Sequence, residues 1–353
     1  MAKDKVAIVF GLILVFLTAS SVINLKLVKA DNPSNITINF DGSINPISAP
    51  ILRVGNKYTL TGDFDGYLTI EASDIVLDGA GHIVKGLEGE NIVNTENPLI
   101  EEIKAIYDLT NVTIKNFDIQ GEFDPVRFGI KMTRTSNFSI INNSISNVYI
   151  AIQLGGSGNI VSGNNITNTQ HIAIQTGANG VIIGNTIINT RGISGIAIAL
   201  SSNSSVISNL IKNNNCGIYS YTYGGPMFPF STPPSGSVVY GNNFVNNSYN
   251  VLNKGSEGAS IGKIANWDNG CIGNYWSDYN GTDADGNGIG DIPYVIDENN
   301  QDNYPLMLPY KEPEPEPTPT EPFPTTLAAV ATGTTATVAV SAGLIVYFKK
   351  RKH

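Results

Sequence analysis

Between Asn137 and Cys216 the chain has no aspartate and no glutamate. Sugar hydrolysis usually needs two carboxylates flanking the scissile bond, and that stretch cannot supply them from its own residues. Charge is scarce throughout: Asp, Glu, Lys and Arg make up 14% of the 353 residues, against about 25% in an average soluble domain. The net charge of −9 excludes the basic surface that a nucleic acid would require. Two cysteines, Cys216 and Cys271, exclude a disulfide-dense scaffold and leave room for one bridge in an oxidising compartment. In the body of the chain, no apolar run reaches helical length without a Gly or Asn breaking it.

What is present is repetition. Ile140-Ile-Asn-Asn143-Ser-Ile145 recurs as Val161-Ser-Gly-Asn164-Asn-Ile166, Ile182-Ile-Gly-Asn185-Thr-Ile187 and Val206-Ile-Ser-Asn209-Leu-Ile211. The aligned asparagines are spaced 21, 21 and 24 residues apart, a period that signals a solenoid. A second column follows the first: Ala151-Ile152, Ala173-Ile174, Ala197-Ile198 and Gly217-Ile218. Ile and Val alternate with Ser, Thr and Asn over three to five residues, which is the period of a strand. Gly and Asn between the runs tolerate left-handed backbone at tight corners. Stacked coils would place Ile on Ile in a core and Asn on Asn in a hydrogen-bonded ladder at about 4.8 Å spacing. Each coil would depend on its neighbours for stability.

Taken in order, residues 1–30 read as a secretory signal peptide: Lys3 and Lys5, an apolar run from Val6 to Thr18, then small residues up to Ala30. Residues 31–57 read as an N-terminal cap and 58–260 as the solenoid. Two stretches break the rhythm: the acidic Leu87–Leu109, either an inserted loop or an irregular coil, and Tyr219–Gly236. Residues 261–310, rich in Asp, Gly and aromatics, read as a C-terminal cap. Residues 311–326 form a Pro/Glu/Thr stalk. Residues 327–348 carry no charge and are long enough to cross a bilayer about 30 Å thick. Lys349-Lys-Arg-Lys352 follows, placing residues 349–353 in the cytoplasm and the body outside.

Asp283-Ala-Asp285-Gly-Asn287-Gly-Ile289-Gly-Asp291 is a candidate calcium loop. Oxygen side chains stand at alternate positions, Ile289 would offer its carbonyl, and Gly lets the chain bend. The closing Glu of an EF-hand is missing: Tyr294 stands there, with Asp297 or Asp302 as substitutes if the chain folds back.

These residues also carry a resemblance. Gly273-Asn-Tyr-Trp-Ser-Asp-Tyr-Asn-Gly-Thr282, the Asp/Gly loop, Ile292-Pro-Tyr-Val-Ile-Asp297 and Asp302-Asn-Tyr-Pro-Leu-Met307 resemble the C-terminal signature of NosD-like proteins. Asp74-Ile-Val-Leu-Asp-Gly-Ala-Gly-His82 is similar to that family's opening coil. The resemblance runs from Tyr58 to Met307 and implies an all-β, right-handed parallel β-helix of the carbohydrate-binding and sugar-hydrolysis type. With signal peptide, stalk and basic-tailed span, the chain looks like an archaeal surface protein of this kind. Founding members of the family are periplasmic accessory proteins linked to copper delivery for nitrous oxide reductase. Copper wants imidazole, thioether or thiolate. Here His82, His171, Met132, Met227 and Met307 are scattered, and His82 reads as a turn residue.

Four sets of residues remain. Tyr219, Tyr221, Tyr223, Phe228 and Phe230 either stack on sugar rings or anchor a protein partner, or else fold back over the core. Asp118, Glu122, Asp124, Arg127 and Lys131 are the nearest approach to a catalytic edge, and a solvated loop is the plainer account of them. Asn-x-Ser/Thr sites at Asn35, Asn111, Asn137, Asn203, Asn246 and Asn280 are glycosylation acceptors in an exported protein. Two more, Asn142 and Asn165, sit beside the ladder and are expected to be partly buried. A Cys216–Cys271 bridge would pin the cap to the solenoid; two separate thiols are the alternative. The reading is a membrane-anchored extracellular β-helix that binds a cell-surface glycan or protein without catalysis and uses calcium in its cap. A polysaccharide lyase or glycoside hydrolase is one alternative, and an accessory protein for a metal or transport system is another.

Overall fold

The computed structural model describes residues 35–86, 100–105, 108–121, 127–132, 135–192, 194–221, 234–254 and 262–311. The segments read as signal peptide, membrane span and basic tail lie outside them, as does the stalk beyond Lys311. Among the described residues no helix is long and apolar enough to cross a membrane.

Each coil visits three sheets in turn. One coil runs Ser139–Ile141, Ser144–Ser146 and Ile150–Leu154, and the next Ile160–Ser162, Asn165–Thr167 and Ile172–Gln175. Each strand pairs in parallel with its counterpart one coil away. The first, second and third sheets hold ten, nine and ten strands. This is a parallel β-helix.

The core follows from the period of two. In the first sheet Ile114, Ile140, Val161, Ile182, Val206 and Val239 stack in register. Ile119, Ile145, Ile166, Ile187, Ile211, Phe244 and Trp276 do so in the second. In the third, Ile130, Ile152, Ile174, Ile198 and Ile218 form the matching column. All of these are buried, and each fully buried aliphatic side chain contributes about 1.5–3 kcal/mol.

Sharp corners separate the sheets, and left-handed residues make them. Asn111, Asn137, Asn179 and Asn203 precede the first sheet; Asn116 and Asn142 precede the second; Asn147, Asn168, Asn189, Asn213 and Asn246 precede the third, all with φ between 51° and 57° or just above, up to 60°. Asn accepts this region because its short polar side chain bonds locally. At Gly163, φ 64°, a Cβ would collide with the Asn142 amide oxygen on the coil before.

The asparagine ladder forms as expected. Asn143, Asn164, Asn185, Asn209 and Asn242 each donate Nδ2–H to the Oδ1 of the next member, the last to Asn274, at 2.9–3.0 Å. Each Oδ1 from Asn164 to Asn274 also accepts the backbone N–H of the member before. The Asn-to-Asn bonds all run toward the C-terminus, while Nδ2 of each amide also donates back to a carbonyl of the coil before, such as Asn164 to Ile140 O at 2.9 Å. The ladder ends on a carboxylate, with Asn274 N–H donating to Asp302 Oδ2 at 2.7 Å.

At the N-terminal end the parallel ladder starts earlier than expected, because Asn35–Ile38 already pairs with Tyr67–Ile70. Two antiparallel partners, Ile44–Asn45 and Ile51–Val54, close that end. Within the acidic stretch, Ile100–Ala105 takes a place in the third sheet between Tyr67–Ile70 and Arg127–Met132, while residues 87–99 and 106–107 lie outside the described residues.

Candidate functional site

The third sheet differs from the other two on its outer side. Phe128, Ile150, Ile172, Ile196 and Cys216 run in register and form, with Ala199, a buried apolar cluster separate from the central core. Half-buried Tyr149, Tyr219 and Leu252 pack against it. A second register column carries Lys131, Gln153, Gln175, Ala199, Tyr219 and Leu252. Gln153 donates Nε2–H to Gln175 Oε1 at 3.0 Å. Lys131 Nζ lies 4.4 Å from the Phe128 ring centroid. Tyr149 and His171 stack with centroids 4.9 Å apart. Burial pushes the His171 pKa down and that of Tyr149 up, so both rings are neutral near pH 7.

From Arg127–Met132 through Tyr249–Lys254 the strands of this sheet carry no Asp or Glu. The sequence inserts its extra residues here as well. The stretches 87–99, 122–126, 222–233 and 255–261 each directly enter or leave a strand of this sheet, except that 87–99 and 122–126 also follow the second sheet's turn.

The aromatic candidates divide. Tyr219 and Tyr221 are not in a loop but continue the strand Cys216–Tyr221, opposite Leu252 and Lys254. Tyr223, Phe228 and Phe230 lie outside the described residues. The suggested catalytic edge does not form as drawn. Asp118 is on the second sheet, accepting from Gln120 Nε2 at 2.9 Å, while Arg127 and Lys131 are on the third. Glu122 and Asp124 lie outside the described residues.

Of the two alternatives for Cys216 and Cys271, the bridge is not made: both thiols are free, Cys216 buried and Cys271 exposed. Cys216 sits in the outer apolar cluster, where burial pushes its pKa up to about 12 and makes it inert. Cys271 belongs to a cap turn in which Asn269 Oδ1 accepts its backbone N–H.

In the Asp283–Asp291 loop the acids wind the backbone. Asp283 accepts N–H bonds from Gly286, Asn287 and Gly288 at 2.8–3.1 Å. These bonds, Gly288's foremost, hold its carboxyl below the usual range. Asp285 accepts from Asn287, and Asn287 Oδ1 accepts the Ile289 N–H at 2.8 Å. Asp291 turns toward Ala284 N–H, at 2.8 Å. Among the described residues no three of His, Cys, Asp and Glu gather as a metal cluster. The remaining donors of this loop, two carboxylates, an amide oxygen and a carbonyl, are all oxygen, which suits calcium rather than a softer ion. Asp297 and Asp302 do not complete it. Asp297 accepts from Asn253, Asn299 and Asn300. Asp302 is buried under Asn274, Trp276 and Tyr304 as their acceptor.

That buried acid is the one feature of the cap that the sequence reading missed. Burial raises the Asp302 pKa to about 6, against the opposing pull of its donors. Trp276 Nε1–H donates to it at 2.9 Å, and the Trp276 ring is sandwiched between Phe244 and Tyr294, each 4.3 Å away.

Candidate copper donors are dispersed. His82 Nδ1 pairs with Asp63 at 3.0 Å in a turn, His171 is buried against Tyr149 on the third sheet, and Met132 is in the central core. The asparagines of the Asn-x-Ser/Thr sites are all exposed, and this includes Asn142 and Asn165, against expectation.

A family model described as periplasmic copper-binding protein (NosD) matches residues 66–281. No curated protein matches the chain.

Proposed function

The chain belongs to the NosD family, and from that premise we propose that it is an exported β-helix, held at the cell surface, whose third sheet binds glycans without cleaving them. The observation that carries this reading is the outer side of that sheet: the half-buried Gln153 amide, the half-buried rings of Tyr149 and Tyr219, and strands free of carboxylates from Arg127 to Lys254. Amides and ring faces are the groups that recognise sugar hydroxyls and sugar ring faces. The strands from Arg127–Met132 to Tyr249–Lys254 offer no carboxylate pair to cut the bond; the acids of this sheet, Glu101 and Glu102, belong to the preceding strand Ile100–Ala105. The family's description names copper, and among the described residues the softer donors do not gather to hold it. His82 is tied to Asp63, Met132 is sealed in the core, and Cys216 holds its proton. No step of the proposed function passes through a metal.

The test is a glycan array probed with the detergent-solubilised full chain and with a Tyr149→Ala/Gln153→Ala double variant, scored for both retention and cleavage. Retention on a defined glycan class, lost in the double variant with the circular dichroism spectrum unchanged, is expected. Turnover of any arrayed glycan would overturn the reading, as would equal retention by the variant.

A further inference from the structure

The second sheet carries two Asn-x-Ser/Thr sites on neighbouring coils. Asn142 stands at the corner before Ser144–Ser146 with φ 55° and is exposed. Its neighbour Asn143 turns inward to the ladder, and Ser144 turns out again. One coil on, Asn165 and Thr167 face outward on either side of buried Ile166. In both sites the amide and the hydroxyl two residues later share one open side. Neither Asn142 nor Asn165 gives its side-chain amide to a hydrogen bond among the described residues. Asn111 differs: its Nδ2–H donates to Asp74 Oδ1 at 2.8 Å.

There is room for a large substituent. One coil after Asn142 the same corner is Gly163, whose lack of a side chain leaves the place that the Asn142 amide oxygen occupies, and two coils on, a Cβ on Gly184 would meet nothing within 4 Å. Asn165 is flanked in register by Ser144 and Thr186, both small.

We propose that Asn142 and Asn165 are N-linked glycosylation sites of the exported chain and that Asn111 is not. The co-reactant is an oligosaccharide joined through its anomeric carbon to a lipid phosphate, delivered by a membrane transferase. The new bond joins Nδ2 to the anomeric carbon. The bond from that carbon to the phosphate oxygen breaks, the lipid phosphate departs with its electron pair, and the proton that Nδ2 gives up passes to a base of the transferase and on to water. The hydrogen bond to Asp74 holds the Asn111 amide in place and takes up one of its N–H groups; the other two amides have no such tie. Sugars on the second sheet would leave the third sheet bare, since no such site lies on its strands from Arg127–Met132 to Cys216–Tyr221.

The experiment is mass spectrometry of chymotryptic peptides from the full chain purified out of its own cells' membranes. Ser139–Tyr149 holds Asn142 alone of these sites, Gly155–Leu200 holds Asn165 alone, and Thr110–Phe117 holds Asn111. The first two are expected at masses raised by hexose or other sugar units, and the third at its unmodified mass. Either of the first two at its unmodified mass overturns the assignment of that residue, and a raised mass on the third overturns the exclusion of Asn111. These masses report on the chain's own sugars whatever its third sheet binds, so this inference and the binding reading fail separately.

Discussion

At the scale of single residues, the pleat gives identical letters opposite roles. Asn143 and Asn164 are buried ladder members, while their sequence neighbours Asn142 and Asn165 are exposed. One step along a strand or corner reverses the side chain, and the sequence alone left both neighbours under suspicion of burial. Asp302 is the sharper case. It receives the last of the Asn-to-Asn ladder's bonds, in a place with little water. Its folded pKa of about 6 lies above the value of about 3.9 for an unfolded Asp. The fold therefore binds this proton more tightly than the unfolded chain does. The resulting stability is fully present below about pH 3.9 and is lost as pH rises through about 6. Acids whose pKa is lowered, such as Asp63, Asp283 and Asp297, act below this window. Asp302→Asn keeps one acceptor oxygen and cannot titrate, but leaves the Tyr304 N–H without its acceptor, a pH-independent cost of about 1 kcal/mol. Urea unfolding at pH 4 and pH 7 should show the variant gaining ~2–3 kcal/mol relative to the natural chain as pH rises. Parallel pH profiles for the two proteins would refute this account of Asp302.

At the scale of elements, the strands of the first two sheets in the repeat were legible because each is three residues of alternation between Gly or Asn corners, and those of the third because Ala-Ile recurs at the same period. The strand Cys216–Tyr221 was only half legible: its last three residues, Tyr219-Ser-Tyr221, run straight into the aromatic insertion with no corner residue to mark the end. The Asp283–Asp291 loop was legible as a motif but not as a shape. Its acids close turns on their own backbone, and Asp291 swings to Ala284. With two carboxylates, an amide oxygen and a carbonyl, its calcium affinity should lie in the weak range of extracellular modules, a Kd of about 10⁻⁴–10⁻³ M. Calcium at ten times Kd would then add about 1.4 kcal/mol. A melting temperature higher by a few degrees in millimolar calcium than in chelator is expected, and Asp285→Ala should abolish the difference. Equal melting of the natural chain in both buffers would mean that the loop is a turn and nothing more.

At the scale of the whole molecule, each coil is stable only between others, so the ends carry disproportionate weight. The C-terminal cap supplies Ala265–Asn266 to the first sheet, Tyr275–Trp276 to the second, and Trp276 as a lid on Phe244. A chain ending at Lys254 would expose Val239, Phe244 and the free edges of those two sheets. It is expected to elute in the void volume on size exclusion, whereas a chain ending at Lys311 elutes as a discrete folded species. A soluble, discrete species from the shorter chain would show that the cap is dispensable.

The coil period, the inward aliphatic columns and the asparagine ladder were determined by the sequence itself, since each depends on contacts between residues in equivalent positions of a repeat. The tertiary structure decided what depends on residues that no period relates. It left Cys216 and Cys271 unbridged, put Asp118 and Lys131 on different sheets, and carried Asp302 back to end a ladder that begins at Asn143. Such placements turn on where an irregular cap folds back over the last coil, and alternation along a strand holds no record of that path.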